Sequence, residues 1–165
     1  MEISIKSITL FSAVLLTGLS AGLFYAWTVS VIPGTRRVPD YIYLETMQSI
    51  NRAILNPAFF LIFFGSLILL VMSAFQQFKS GLTFWLLLAA TIIYLIGTIG
   101  VTSLGNVTLN NALEALDLSK LGTDIMEHTR HQYEIKWNRF HMIRTVFSVL
   151  SFLLSLFGVF THLKT

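Results

Sequence analysis

The chain has 165 residues, of which 55% are hydrophobic and only 12% charged, with a formal net charge of +3 and a mean hydropathy of +0.74. A soluble domain carries about 25% charged residues, so this composition excludes an ordinary water-soluble globule. The small net charge, without any basic cluster, excludes a nucleic-acid-binding surface. The chain has no cysteine, which excludes disulfides, thiolate metal sites and a cysteine nucleophile.

Residues 7–35, 53–78, 80–113 and 145–163 are free of Asp, Glu, Lys and Arg. Crossing a bilayer core takes about 20 apolar residues, so each stretch accommodates one transmembrane helix. The expected spans are 8–32, 56–77, 83–105 and 143–162. The fold class is therefore all-α: a four-helix transmembrane bundle, one membrane domain over 1–165, with amphipathic helices in two long loops on the same side. Four crossings bring both termini to one side, with Lys6, Lys79 and Lys164. Arg36, Arg37, Arg52, Lys120, Arg130, Lys136, Arg139 and Arg144 fall on the other, which points the long loops toward the cytoplasm. Those loops also hold seven of the eight acids, so the charge asymmetry is partly cancelled.

The first span is longer than the 7–15 residues of a signal-peptide core and runs on through "GLFYAWTVSVI", which predicts an uncleaved helix. Gly18 and Gly22 stand at GxxxG spacing, a pattern for close helix approach. Pro33, Gly34 and Pro39 are expected to end the helix. From Asp40 a short amphipathic helix follows, with Tyr43, Met47, Ile50 and Ile54 on one face and Asn51 one turn after Met47. Asn56 and Pro57 form an N-cap and a first-turn proline for the second span. A tight turn at "KSG" makes spans two and three an antiparallel hairpin. After span three, "NVTLNNALEALDL" predicts a short separate helix. "SKLGTDIMEHTRHQYEIKW" predicts another, capped by Ser119 and running into span four. Together the two polar excursions form a lid or cup over the bundle mouth.

Two polar stripes end at that mouth. Trp137, His141 and Arg144 are spaced i, i+4, i+7, bordered by Asn138 and Thr145. From Thr145 to Thr161 the uncharged helix measures about 25 Å, short of the hydrocarbon core of about 30 Å, which draws Arg144 to its edge. Such a stripe either snorkels to the headgroups with Trp137 as anchor or faces the bundle interior as a site. Thr102, Asn106 and Asn110 form the second stripe at i, i+4, i+8, and amides exposed to lipid are costly. Asn51 and Asn56 complete the ring. This is the form of an apolar small-molecule cavity with convergent polar groups. Asn106 also opens an N-x-T sequon, in a position too close to the membrane to favour glycosylation.

In "EHTRHQYE", His128, His131 and Glu134 stand at i, i+3, i+6, a spacing that presents ligands to one ion. No second ligand set lies on another helix, so a solvated charged helix is the plainer reading and no metal is assigned. No histidine pair faces across the spans for a haem, and no nucleotide fingerprint or GxSxG elbow is present.

The blocks "GLSAGLFYAWTVSVIPG", "ETMQSINRAILNPAFF", "VTSLGNVTLNNAL" and "WNRFHMIRT" come in the order and spacing of the anthrone oxygenase-like membrane proteins (DUF1772), which the chain resembles over nearly its whole length. Its most specific parts are Asn106, Leu109, Asn110 and Leu113 in the third block and Trp137, Asn138, Arg144 and Thr145 in the last. Thr108 stands where the family often has proline. Some members oxidise anthrones to anthraquinones with O2 and no evident cofactor, while many have no assigned role. The resemblance implies a hydrophobic aromatic or quinoid ligand, His141 as a base whose ordinary pKa lies near neutrality, and Arg144, Asn106 and Asn110 as an oxyanion site. It also implies a Trp137 that stacks on a flat ring, with Asn138 and Asn51 beside it, and no resident cofactor. The competing class is a non-catalytic membrane protein that binds lipid or a quinone or serves as an accessory subunit. A homo-oligomer is compatible with either.

Overall fold

A computed structural model describes residues 4–162; Lys164, counted above with the termini, lies outside them. Among the described residues the protein is all helix, in five rods. These are α1 (Ile5–Thr35), α2 (Asp40–Ala53), α3 (Pro57–Gln76), α4 (Leu82–Glu114) and α5 (Thr123–His162). Four of them, all but α2, are long and apolar enough to cross a membrane. They form a ring in which α1 packs on α3 and α5, and α4 packs on α3 and α5. Ser7 Oγ lies 3.4 Å from His162 Nε2, and Gln77 Nε2 lies 3.1 Å from His162 Nδ1. The described ends of α1 and α5 and the α3–α4 turn therefore share one end of the bundle.

The ring closes around small and hydroxylated side chains. Thr17, Ser20, Ser66, Thr98, Ser148, Ser151 and Ser155 are all buried, and small residues let backbones approach where no hydrophobic effect drives association. Their hydroxyls cross between helices: Ser20 Oγ to Tyr94 Oη at 2.8 Å, Thr98 Oγ1 to Ser148 Oγ at 3.0 Å, and Ser151 Oγ to Ala90 O at 2.9 Å. Of the GxxxG pair, only Gly18 is a contact point, against the Phe152 ring; Gly22 meets nothing and faces open space.

Three helix ends depart from expectation. Pro33 does not stop α1, because a π-helical stretch over Trp27–Val31 precedes it, with Ile32 N–H bonding Trp27 O. That wider turn makes room for the proline ring, and the rod runs to Thr35. Span three does not end near 105. It runs on through π turns at Tyr94–Gly100 and Thr102–Asn106 into Val107–Glu114, so the expected separate helix is the end of α4. Ser119 does not cap α5. It sits in a 3-10 turn capped by Asp117, and α5 starts after Gly122, whose carbonyl accepts from Met126 N–H at 3.0 Å. Asn56 does cap α3, its Oδ1 accepting from Phe59 N–H at 3.0 Å.

With 40 residues, α5 is about 60 Å long, twice the hydrocarbon core, so its polar N-terminal half stands outside. There α2 packs against α5 and the end of α4. Tyr43, Leu44, Met47, Leu113, Leu118, Tyr133 and Trp137 form a second core over the bundle. Arg130 fastens it: Nη1 donates to Val38 O at 2.6 Å and to Asp40 Oδ1 at 2.8 Å, and Nε donates to Glu134 Oε2 at 3.2 Å.

Candidate functional site

Between this cap and the bundle lies a cavity of about 170 Å³, comparable to an apolar cavity of about 150 Å³ that holds benzene. Its walls come from every rod: Phe24 and Trp27 of α1, Asn51 of α2, Phe59 of α3, Thr102, Asn106 and Asn110 of α4, Trp137 and Arg144 of α5. Leu55, Arg52, Glu114 and Val107 line its exposed side, with Arg52 Nη1 2.7 Å from Glu114 Oε1 across the opening.

Trp137, His141 and Arg144 are 3%, 0% and 8% exposed, so the stripe faces inward instead of snorkelling. Helical spacing stacks the rings of Trp137 and His141, with centroids 5.1 Å apart and planes at 7°. The Arg144 guanidinium lies 4.5 Å from the Phe24 ring centroid and 5.1 Å from that of Trp137, cation–π geometry on both sides. Its Nε and Nη2 approach His141 Nδ1 at 3.2 and 3.0 Å. A guanidinium only donates, so Nδ1 accepts and the ring proton is assigned to Nε2. That nitrogen lies 3.0 Å from Thr28 Oγ1, which in turn donates to Phe24 O at 3.1 Å. His141 thus sits behind the wall with both nitrogens engaged. Arg144 is on the wall, and no carboxylate is within ion-pair reach of it among the described residues.

The amides divide by role. Asn51 Nδ2 donates to Tyr133 Oη at 3.2 Å, and Tyr133 donates to Asn110 Oδ1 at 3.0 Å. Trp137 Nε1 donates to the same oxygen at 2.8 Å. This chain ties α2, α4 and α5 together at the cavity wall. Asn106 is 1% exposed, and its Nδ2 donates to Trp137 O at 3.1 Å; its Oδ1, like Thr102 Oγ1, is buried with no partner among the described residues. Asn138 is half-buried and off the cavity wall. Asn56 is also off the wall, its amide used in capping and in a bond to Ala53 O at 2.9 Å. The sequon at Asn106 is closed inside the protein.

His128, His131 and Glu134 border a shallow groove with Asp40, Asp124 and Glu127. Glu134 is bound to Arg130 and Arg36, and no group of three ligating side chains converges among the described residues. Sequence reasoning missed Phe24, Trp27, Phe59 and Thr28. The first three look like ordinary apolar span residues. Thr28 carried a signal, as a lone hydroxyl in the apolar run "FYAWTVSVI".

No curated protein and no solved structure matches the chain. The family model described as anthrone oxygenase matches residues 55–154, more than half of it, covering α3, α4 and most of α5 with Asn106, Asn110, Trp137, His141 and Arg144, and the chain is a membrane protein belonging to that family.

Proposed function

We propose that the cavity binds a hydrophobic aromatic or quinoid molecule by an acidic oxygen, and that an anthrone-type substrate is oxidised there by O2. The carrying observation is Arg144, a buried cation on an aromatic wall with no carboxylate partner among the described residues. An unpaired buried charge costs several kcal/mol, and an anionic ligand oxygen offsets that cost. Trp27, Trp137, Phe24 and Phe59 supply flat apolar contact. The exposed side at Leu55 and Val107 accommodates rings beyond the first.

In this reading the Arg144 guanidinium swings from His141 Nδ1 to the substrate oxygen, which opens the wall in front of that nitrogen, and the freed lone pair takes a proton from the acidic C–H. The guanidinium holds the resulting enolate. The electron-rich carbon then reduces O2; overall a CH2 group and O2 become a C=O group and water. Family membership supports the reaction class.

The test is oxygen uptake by detergent-purified protein with a simple anthrone, comparing wild type, Arg144→Met and His141→Ala, with and without chelator. Uptake should survive chelator and fall at least about 100-fold in each variant, the usual scale for losing an oxyanion donor or a general base. Full activity in Arg144→Met refutes the reading. A binding role without turnover is the second reading, favoured by the retreat of His141 behind the wall. It is supported if ligand binds wild type tightly and is lost in Arg144→Met, with no uptake in either.

A further inference from the structure

We infer that Asn106 and Thr102 read a hydroxyl donor on the ligand, so that the site selects aromatic molecules carrying an O–H besides the oxygen held by Arg144. The inference rests on the cavity being a ligand site. The orientation of the Asn106 amide is set by its surroundings. Its partner at 3.1 Å is the carbonyl of Trp137, which only accepts, so the NH2 group points there and Oδ1 points away. Oδ1 is a pure acceptor, in a residue 1% exposed, on the wall of the cavity and without a partner among the described residues. Only a donor satisfies it.

Thr102 adds an independent observation. Thr9, Thr17, Thr28, Thr91 and Thr145 each return their hydroxyl to the carbonyl four residues back in their own helix. Thr102, 7% exposed, does not, and its Oγ1 is left unpartnered on the same wall. The chain around it is π-wound on both sides, Tyr94–Gly100 and Thr102–Asn106. Two buried oxygens one helical turn apart, unpaired among the described residues, thus belong to wall residues that stand with Arg144, Asn51 and Asn110 around the cavity. A ligand that only accepts, such as an unsubstituted quinone, would leave Asn106 Oδ1 buried and unpaired, a penalty that discriminates against it.

The test uses 1,2-, 1,3- and 2,6-dihydroxyanthraquinone and their mono-O-methyl ethers, which keep the ring and one ionisable hydroxyl but lose one donor. Affinities are read by absorbance titration of the purified full-length protein, wild type against Asn106→Leu and Thr102→Val. Wild type should bind at least one dihydroxy isomer about tenfold tighter than its ether, and the ratio should fall toward one in the variants. Thr102→Val breaks no hydrogen bond within the protein, so it keeps the test valid if Asn106→Leu folds poorly. A ratio unchanged in both variants, or wild type binding both compounds equally, overturns the inference while leaving the cavity a ligand site. Failure of every compound to bind wild type removes both.

Discussion

Gly105 lies where α4 touches α5, one residue before Asn106. A Cβ added there would stand 2.6 Å from Phe140 Cγ, 2.7 Å from Cδ1 and 2.9 Å from Cδ2. Normal carbon contacts are about 3.5–4.0 Å, so the deficit is about 1 Å. Because Cγ is the ring atom nearest the backbone, rotating the ring does not clear it, and the helices must part. Overpacking of this kind costs about 1–3 kcal/mol. The neighbouring bond from Asn106 Nδ2 to Trp137 O is 3.1 Å, and an opening of about 1 Å takes it beyond hydrogen-bond range, adding about 1 kcal/mol.

Gly105→Ala should therefore lower stability by about 2–4 kcal/mol and also loosen the wall that holds Asn106. Gly97→Ala is the comparison. Its Cβ would fall 2.0 Å from Phe147 Cγ and Cδ1, so its packing cost is at least as large, but it lies about 12 Å along the helix from Gly105. Denaturation in detergent measures stability, and dihydroxyanthraquinone titration measures the site. Gly105→Ala should lose both. Gly97→Ala should lose stability and keep its affinity within about threefold, since distant sites act independently. In a Phe140→Ala background the cost of Gly105→Ala should largely vanish. Wild-type stability in Gly105→Ala, or the same cost with Phe140 removed, refutes the close-approach argument.

Arg130→Met should destabilise the cap by about 2–3 kcal/mol, read by denaturation and by faster proteolysis between α1 and α2. Its 13%-exposed side chain holds Asp40, Glu134 and Val38 O together, and removal takes the partner from Asp40 and Val38 O and leaves Glu134 with Arg36 alone. Burial, with the Glu134 charge second, raises the Tyr43 phenol above its ordinary 10.0. The neutral form therefore contributes stability that is intact below about pH 10 and is lost as pH climbs toward the raised value. Stability measured against pH should fall above about pH 10, less steeply in Tyr43→Phe; identical alkaline curves would count against this.

The four spans were legible because charges mark their ends, and a charged residue inside hydrocarbon is too costly to be common. Asn56 and Pro57 announced the start of α3 through local chemistry alone. The polar stripes were legible for a related reason: Trp137, His141 and Arg144 share a helix face whichever partner they meet. Which way that face pointed was not legible. The partner that engages His141 is Thr28, 113 residues away, and no local pattern encodes such a pairing. Charge also misled in one respect: Arg52 and Glu114 mark the ends of apolar stretches, which hid their meeting across the cavity opening.

The π turns accompany the misplaced ends of spans one and three, and they are not scattered at random. Adding a residue to a helical turn without ending the helix rotates everything beyond it by about 100°, yet leaves hydropathy unchanged, so periodicity analysis sees only a slightly blurred stripe. The stretch Trp27–Val31 begins at one cavity wall and Thr102–Asn106 spans another. Each such turn weakens the helix's own hydrogen bonding. In return α4 can set Gly97 and Gly105 against α5 and still present Thr102, Asn106 and Asn110 to the cavity. The irregular winding thus falls where Thr102 and Asn106 meet the cavity, so the geometry of this end of the bundle draws on backbone winding as well as on the identity of its side chains.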